Sequence, residues 1–278
     1  STRRDLSSNT IDKVSDERYL PKQMKLITFG DSWVFGIGAE YQKGMSRDEY
    51  SKIEFNDSVK SWRGLLSKQH TLKNINFSHG GSSNQMQFRM ASEFYIKNNV
   101  KKHLSKNAGK FNNDMIVLWG LTSVYRTELF NCDTSKYENL FLPTNKFGKE
   151  FSKVYVQKHF NEEEETTKLY YQIELFNSLF KEMGLKNYWF NLFNEHKFPN
   201  QIHNLLFDGK SLLSLMISDH TSNDHYHRST GEDTDRKIIK ARQMNLVNPY
   251  SLHPNSDGHK IISEHFNKEL DFNTAERR

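Results

Sequence analysis

The chain first turns apolar at Met24-Lys25-Leu26-Ile27-Thr28-Phe29 and stops at Gly30, the pattern of a short buried strand that ends in a turn. Residues 58–69 predict a helix with Trp62, Leu65 and Leu66 on one face, and Leu72 to Phe77 a second strand. From Ser83 the spacing of Met86, Met90 and Phe94 predicts a helix that shows these three on one side. Met115-Ile116-Val117-Leu118-Trp119 is a continuous apolar run, as in a central parallel strand buried on both faces. Residues 127–160 are aromatic and irregular, and no period emerges from them. A long helix follows, opened by Glu162 to Glu165, where negative charge suits the helix dipole. Its stripe is Leu169, Ile173, Phe176, Phe180 and Met183, and Gly184 suits its C-terminal end. Tyr188 to Phe193 reads as another strand, residues 219–248 as a long polar excursion, and Asp257 to Leu270 as a last helix with Ile262, Phe266 and Leu270 inward.

Strand and helix alternate along this order, which predicts one α/β domain with a mostly parallel sheet. The expected layout is a polar N-terminal arm at 1–22, a domain at 23–272 with insertions near 127–160 and 197–248, and a polar tail at 273–278. The arm is the segment expected to meet an assembly partner.

Composition narrows the function classes. Hydrophobic residues are 35% of the chain, so the surface must be polar, while 20 Phe and 12 Tyr supply the bulk of a core. A formal charge of +5 is spread without a dense basic block or a nucleic-acid motif, so no nucleic-acid partner is expected. The single Cys132 permits no intramolecular disulfide and no cysteine-based zinc site. It reads as a small packed residue. No apolar run is long enough to span a membrane, and no signal-peptide pattern stands at the start. The expectation is a soluble protein, cytoplasmic or particle-associated. Its Lys-, Asn- and Phe-rich composition points to an AT-rich genome, that of a microbe or virus, a phage included.

Three short blocks carry candidate chemistry. Gly30-Asp31-Ser32 follows the first strand, at the carboxyl end where open α/β sheets gather their ligands. A hydroxyl there is well placed for exposure, although the same tripeptide also serves as an ordinary turn. Asn76-Phe77-Ser78-His79-Gly80-Gly81-Ser82-Ser83-Asn84 joins a strand to a helix. Its backbone N–H groups suit a developing oxyanion, and Ser83 suits a helix cap. Leu252-His253-Pro254-Asn255-Ser256-Asp257-Gly258-His259 precedes the last helix. A neutral histidine on such a loop can take a proton from a serine and return it to a leaving alcohol.

Taken in order, these blocks resemble the SGNH (GDSL-like) hydrolase family, as do Trp62 with Leu65-Leu66 and the long helix running into a strand. The resemblance implies a flavodoxin-like three-layer α/β/α sandwich and ester hydrolysis through an acyl-enzyme, with no cofactor. It implies Ser32 as nucleophile, His253 as base, and the amides of Ser32 and Gly81 as oxyanion donors. It gives Asp31 the task of holding the turn, and makes Asn84 a supporting residue. Two positions depart from the family pattern. Tyr250 stands where an aspartate usually orients the histidine, and Thr122 where an asparagine usually donates to the oxyanion. A Ser–His dyad, or a triad completed by Asp219, Asp224, Asp233 or Asp235, is then expected. The favoured substrate is a short acyl ester, such as acetate, on a carbohydrate. The competing reading is a glycan-binding or structural component of a surface or viral particle that keeps the fold with little or no catalysis. No metal is expected, the stretch Asp219-His220…Asp224-His225-Tyr226-His227 reading as a solvated loop. Arg126 is expected either to meet an anionic substrate group or to pair with Glu128.

Overall fold

The computed structural model describes residues 23–53, 59–103, 115–142, 149–218 and 231–272. The arm at 1–22, the tail at 273–278, the acids Asp219 and Asp224 and the stretch weighed as a metal site lie outside the described residues.

Four parallel strands form the central sheet: β1 (Lys25–Phe29), β2 (Lys73–Asn76), β3 (Met115–Leu121) and β6 (Lys186–Asn191), in the order β2-β1-β3-β6. β1 sits between β2 and β3, with Lys25 opposite both Lys73 and Met115. Beyond β6, parallel bridges from Trp189 to Leu205 and from Asn191 to Ser211 extend the edge. This is the doubly wound order of a flavodoxin-like sheet.

Side chains alternate across the strands, so each strand feeds two cores. Leu26, Ile116, Leu118 and Phe190 point to one face. There they meet α3 (Trp62–Gln69), α7 (Leu212–Ser218) and α9 (Ser256–Glu269), and Trp62 stacks on Phe266 with ring centroids 4.4 Å apart. Ile27, Phe29, Val117, Trp119 and Trp189 point to the other face, against α4 (Asn84–His103) and α6 (Glu162–Glu182). Phe29, Trp119 and Trp189 stack in a row at 4.3 and 4.8 Å. Helices on both faces make the expected three-layer α/β/α sandwich.

The stripe Leu169, Ile173, Phe176 and Phe180 of α6 is buried, and Gly184 takes a left-handed φ of +68° just past its end. On α4 the buried face is instead Phe88, Ala91 and Tyr95, with Met86, Met90 and Phe94 half-buried beside it. Phe88 wins the core because it meets Trp119, Phe176 and Trp189 together. The irregular segment contains an antiparallel hairpin, β4 (Arg126–Asn131) and β5 (Lys136–Phe141), and then α5 (Lys149–Lys158). Cys132 lies exposed in the hairpin turn, not packed, since its turn has no core beneath it. Two short helices follow β1, α1 (Ser32–Phe35) and α2 (Arg47–Ser51), and α8 (Gly231–Gln243) occupies part of the polar excursion. Among the described residues no helix is long and apolar enough to cross a membrane.

Candidate active site

Ser32 opens α1 at the carboxyl end of β1. Asp31 is its N-cap: the buried carboxylate accepts the Trp33 amide at 2.8 Å. Gly30 is there for space, because a Cβ on it would stand 2.1 Å from a methyl of Val34. Gly120 meets the same side chain at 2.6 Å, so two glycines on neighbouring strands let α1 sink onto the sheet. α3 then pins the turn from outside. Trp62 donates its indole N–H to the Trp33 carbonyl at 3.2 Å. The fully buried Arg63 donates to the carbonyls of Val34 and Phe35 at 2.7 and 2.9 Å, and to Asn74 at 3.0 Å. These bonds satisfy carbonyls at the end of a helix only four residues long.

The second block lies alongside. Its polypeptide is tied to β1 through Gly30, whose carbonyl accepts the His79 amide at 3.1 Å and the Ser82 hydroxyl at 2.7 Å. Gly81 has φ +76°, a conformation glycine adopts without strain, and the Phe141 ring lies 3.3 Å from where a Cβ would be. The Ser83 hydroxyl accepts the Met86 amide in the first turn of α4, so it does act as a cap. Among the described residues, the amides of Ser32 and Gly81 donate to no protein acceptor.

The third block is shaped by Asn248. Its amide donates to the His253 carbonyl at 2.7 Å, its carbonyl accepts the Leu252 amide at 2.8 Å, and its side chain accepts the Tyr250 amide at 2.8 Å. Asn255 caps α9 by accepting the Gly258 amide at 3.0 Å. Gly258 admits the Leu246 carbonyl, 2.3 Å from its absent Cβ. His259 is fully buried, its Nδ1 3.4 Å from the Trp62 amide.

The His253 loop packs into the hollow left by Gly38, where a Cβ would meet the Pro254 carbonyl at 2.3 Å and the His253 Cβ at 3.0 Å. Gly38 lies close behind Ser32 in sequence, and the Ile37 amide between them donates to the Ser32 carbonyl at 3.0 Å. The loop thus stands against the segment that leaves the candidate nucleophile. No hydrogen bond joins Ser32 Oγ to His253, and Ser32 Oγ is free of any protein partner among the described residues. Hydrogen bonds of this kind are often unformed before substrate arrives.

Burial pushes the His253 imidazole down to about 4, helped by the Arg126 charge and partly offset by the Ser251 carbonyl. It is therefore neutral, and its Nδ1 has no aligned hydrogen-bond partner among the described residues. The position three residues earlier supplies none: the Tyr250 hydroxyl donates to the Met45 carbonyl at 3.1 Å, and its ring packs on Tyr41 and Tyr50. Asp235 is exposed on α8, and Asp233 belongs to the same helix.

Thr122 is fully buried, its amide donates to Asn84 Oδ1 at 2.9 Å, and its hydroxyl, close enough to lower the Asp31 carboxyl, has no aligned hydrogen-bond partner among the described residues. Asn84 in turn donates Nδ2 to the Thr122 carbonyl at 2.8 Å, so its side chain is spent on joining α4 to the end of β3. His196 comes to the same carbonyl, its Nε2 3.0 Å away, and burial lowers that imidazole to about 4.

Arg126 does not pair with Glu128. Its Nη1 donates to Asp31 Oδ2 at 2.7 Å, while Glu128 is held by Arg89. Burial raises the Asp31 carboxyl, against the lowering effect of Arg126, the Trp33 amide and Thr122. The guanidinium lies over the rings of Phe141 and Phe193, 4.9 and 5.3 Å from their centroids. Phe141 touches Gly81, Phe193 meets Trp33 edge-on at 4.8 Å, and Arg126 acts on His253. One residue of the hairpin thus contacts or influences all three blocks. Beyond Phe193, the chain at 195–210 lines a cavity of about 640 Å³ with Glu195, His196, Lys197, Phe198, Asp208 and Lys210. Among the described residues no three His, Cys, Asp or Glu side chains gather as metal ligands.

No protein-family model matches the chain, and no curated protein matches it. Solved structures similar to it include a protein described as a lipolytic protein of the G-D-S-L family from Desulfitobacterium hafniense, with 10% identity over 88% of this chain and 99% of the other, and a TM-score of 0.36. An acetyl xylan esterase from the rumen bacterium Butyrivibrio proteoclasticus has 13% identity over 90% of this chain and 65% of its own, with a TM-score of 0.43. An acylhydrolase from Bacteroides fragilis has 9% identity over 95% and 97%, with a TM-score of 0.35.

Proposed function

We propose that the protein is a serine ester hydrolase acting through Ser32 and His253. The Ser32 hydroxyl adds to an ester carbonyl and passes its proton to His253. The amides of Ser32 and Gly81 hold the oxyanion. His253 returns the proton to the departing alcohol, and water, activated by the same imidazole, then releases the acid from the acyl-enzyme. The observation that carries this reading is Ser32, with a free amide and an unbonded hydroxyl, at the sheet's carboxyl edge, with the Gly81 loop and its free amide tied to the preceding Gly30 and the His253 loop seated on Gly38. A neutral imidazole is in the protonation state a base needs.

The substrate we favour is a short acyl ester on a carbohydrate. The sequence resemblance to SGNH hydrolases and the polar, aromatic-rich loops support it. Replacement of Ser32 by Ala abolishes hydrolysis of a chromogenic acetyl ester under this reading; unchanged turnover would refute it.

A second reading has one observation of its own. The Arg126 charge opposes protonation of His253, and no carboxylate of the described residues is bonded to Nδ1. A glycan-binding component that has lost catalysis fits that electrostatic state. A fluorophosphonate probe separates the two: labelling of Ser32 favours the enzyme, and a clean negative on folded protein favours the binder.

A further inference from the structure

Two arginines of this protein reach carboxylates from the same neighbourhood, and they do so differently. Arg89 presents the edge formed by Nε and Nη2 to Glu128, with bonds of 2.9 and 2.8 Å to the two oxygens. This is the planar fork that suits a carboxylate. Arg126 meets Asp31 through Nη1 alone. Its Nε and Nη2, the edge that Arg89 fills, donate to nothing among the described residues. The Arg126 side chain is 20% exposed, and its guanidinium is clamped at the faces of Phe141 and Phe193. The plane is therefore fixed by two rings and one ion pair, and the open edge is a preformed pair of donors for a second carboxylate.

We infer that Arg126 is the specificity-determining residue of this site and binds a carboxylate on the substrate, so that the preferred esters are those of acidic sugars. The inference rests on the ester-hydrolase reading for the reaction, and on the geometry of Arg126 alone for the anion. Asp31 does not consume this capacity, since it takes one nitrogen on the far side of the fork. A carboxylate docked on Arg126 also opposes the charge that His253 acquires on taking the Ser32 proton, a charge that Arg126 by itself disfavours. The acidic group of the substrate then contributes to turnover as well as to binding.

The test compares acetyl esters of methyl glucuronide and methyl glucoside on the full chain. A charge-assisted fork predicts kcat/KM at least about tenfold higher for the uronate ester. Replacement R126K keeps a cation for Asp31 and removes the planar fork, and the ratio between the two esters then falls toward unity. The wild-type ratio needs no variant: equal kcat/KM on both esters overturns the inference. Should Ser32 resist a fluorophosphonate probe and neither ester turn over, the hydrolase reading fails separately. Calorimetric titration with free glucuronate then decides the remainder. Glucuronate binding that R126K removes sustains the carboxylate site, and no binding overturns it as well.

Discussion

Asn84 and Thr122 exchange two hydrogen bonds, side chain to backbone, and so lock the start of α4 to the end of β3. Both residues are buried, at 3% and 0% exposure, so the bonds have no water to replace them. Replacement of Asn84 by Ala leaves the buried Thr122 amide without a partner, while the Thr122 carbonyl keeps His196 Nε2. The expected loss is about 1–3 kcal/mol of unfolding free energy, from the one stranded group. Urea denaturation measures it, and a midpoint unchanged from the wild type would show that the pair does not hold these elements together.

The elements that create this lock were legible for different reasons. The β1 and β3 runs and the α6 stripe are local patterns, since burial on one face or two dictates which residues are apolar. On α4 two apolar stripes compete, Met86-Met90-Phe94 and Phe88-Ala91-Tyr95, and periodicity does not choose between them. The choice is made by Trp119 and Trp189 on the sheet beneath. The β4–β5 hairpin escaped because little of it is buried, with Tyr137 and Phe130 left exposed, so it shows no apolar alternation. The turn residues Asp133-Thr134-Ser135 were the available signal.

Of the site, the glycines, Ser32 and His253 could be located by motif, but their reasons could not. Gly30 is required by Val34 and Gly258 by the Leu246 carbonyl, contacts that exist only once the chain has folded. The Asp31–Arg126 pair joins residues far apart in sequence, and no local spacing encodes it. Asn248 carried a faint signal, because an Asn-Pro dipeptide favours a turn.

The close approach of Gly30 to Val34 gives a cycle in which one change relieves another. Gly30→Ala alone puts a methyl where a Val34 methyl already stands, and destabilises by about 1–3 kcal/mol or more. Val34→Ala opens a small cavity and costs stability by itself. In the double variant the contact with the Val34 methyls at 2.1 and 3.2 Å is gone and only the β-carbon of that position, at 2.6 Å, still crowds the new methyl, so the clash is partly relieved and the summed losses exceed the measured one. The coupling should fall in the range of about 0.5–3 kcal/mol found for residues in contact. Strict additivity would mean that the two side chains do not meet.

The depressed imidazoles set a pH dependence whose sign follows from linkage. Burial first of all pushes His253 and His259 down to about 4 and about 3 in the folded protein, from the 6.5 of a free imidazole. Between those values and about 6.5 the unfolded chain binds the extra protons. Their contribution to stability is thus whole above about 6.5 and is lost as pH falls through the folded values. Under the proposed mechanism the same shift keeps His253 competent as a base in acid. The rate of Ser32 labelling by a fluorophosphonate should stay level from about pH 8 to 5 and fall near 4, while circular dichroism reports the fold over the same range. An acid limb centred near 6.5 would indicate an imidazole solvated in the ordinary way.

Arg63 offers a test of whether the Ser32 turn is held from outside. Its guanidinium is fully buried and donates to two carbonyls at the end of α1. Arg63→Met preserves much of the apolar stem and removes every donor, leaving the carbonyls of Val34 and Phe35 without this partner. The expected loss of stability is about 2–6 kcal/mol, at roughly 1–3 kcal/mol per stranded group. Arg63→Lys retains one strong donor and should lose less. If the pins act on the nucleophile, labelling of Ser32 slows in both variants under conditions where each remains folded, because the hydroxyl and its amide no longer keep one position relative to Gly81. Labelling at the wild-type rate in a destabilised but folded Arg63→Met protein would assign Arg63 to the core alone, and place the ordering of Ser32 with Asp31 and its Arg126 partner.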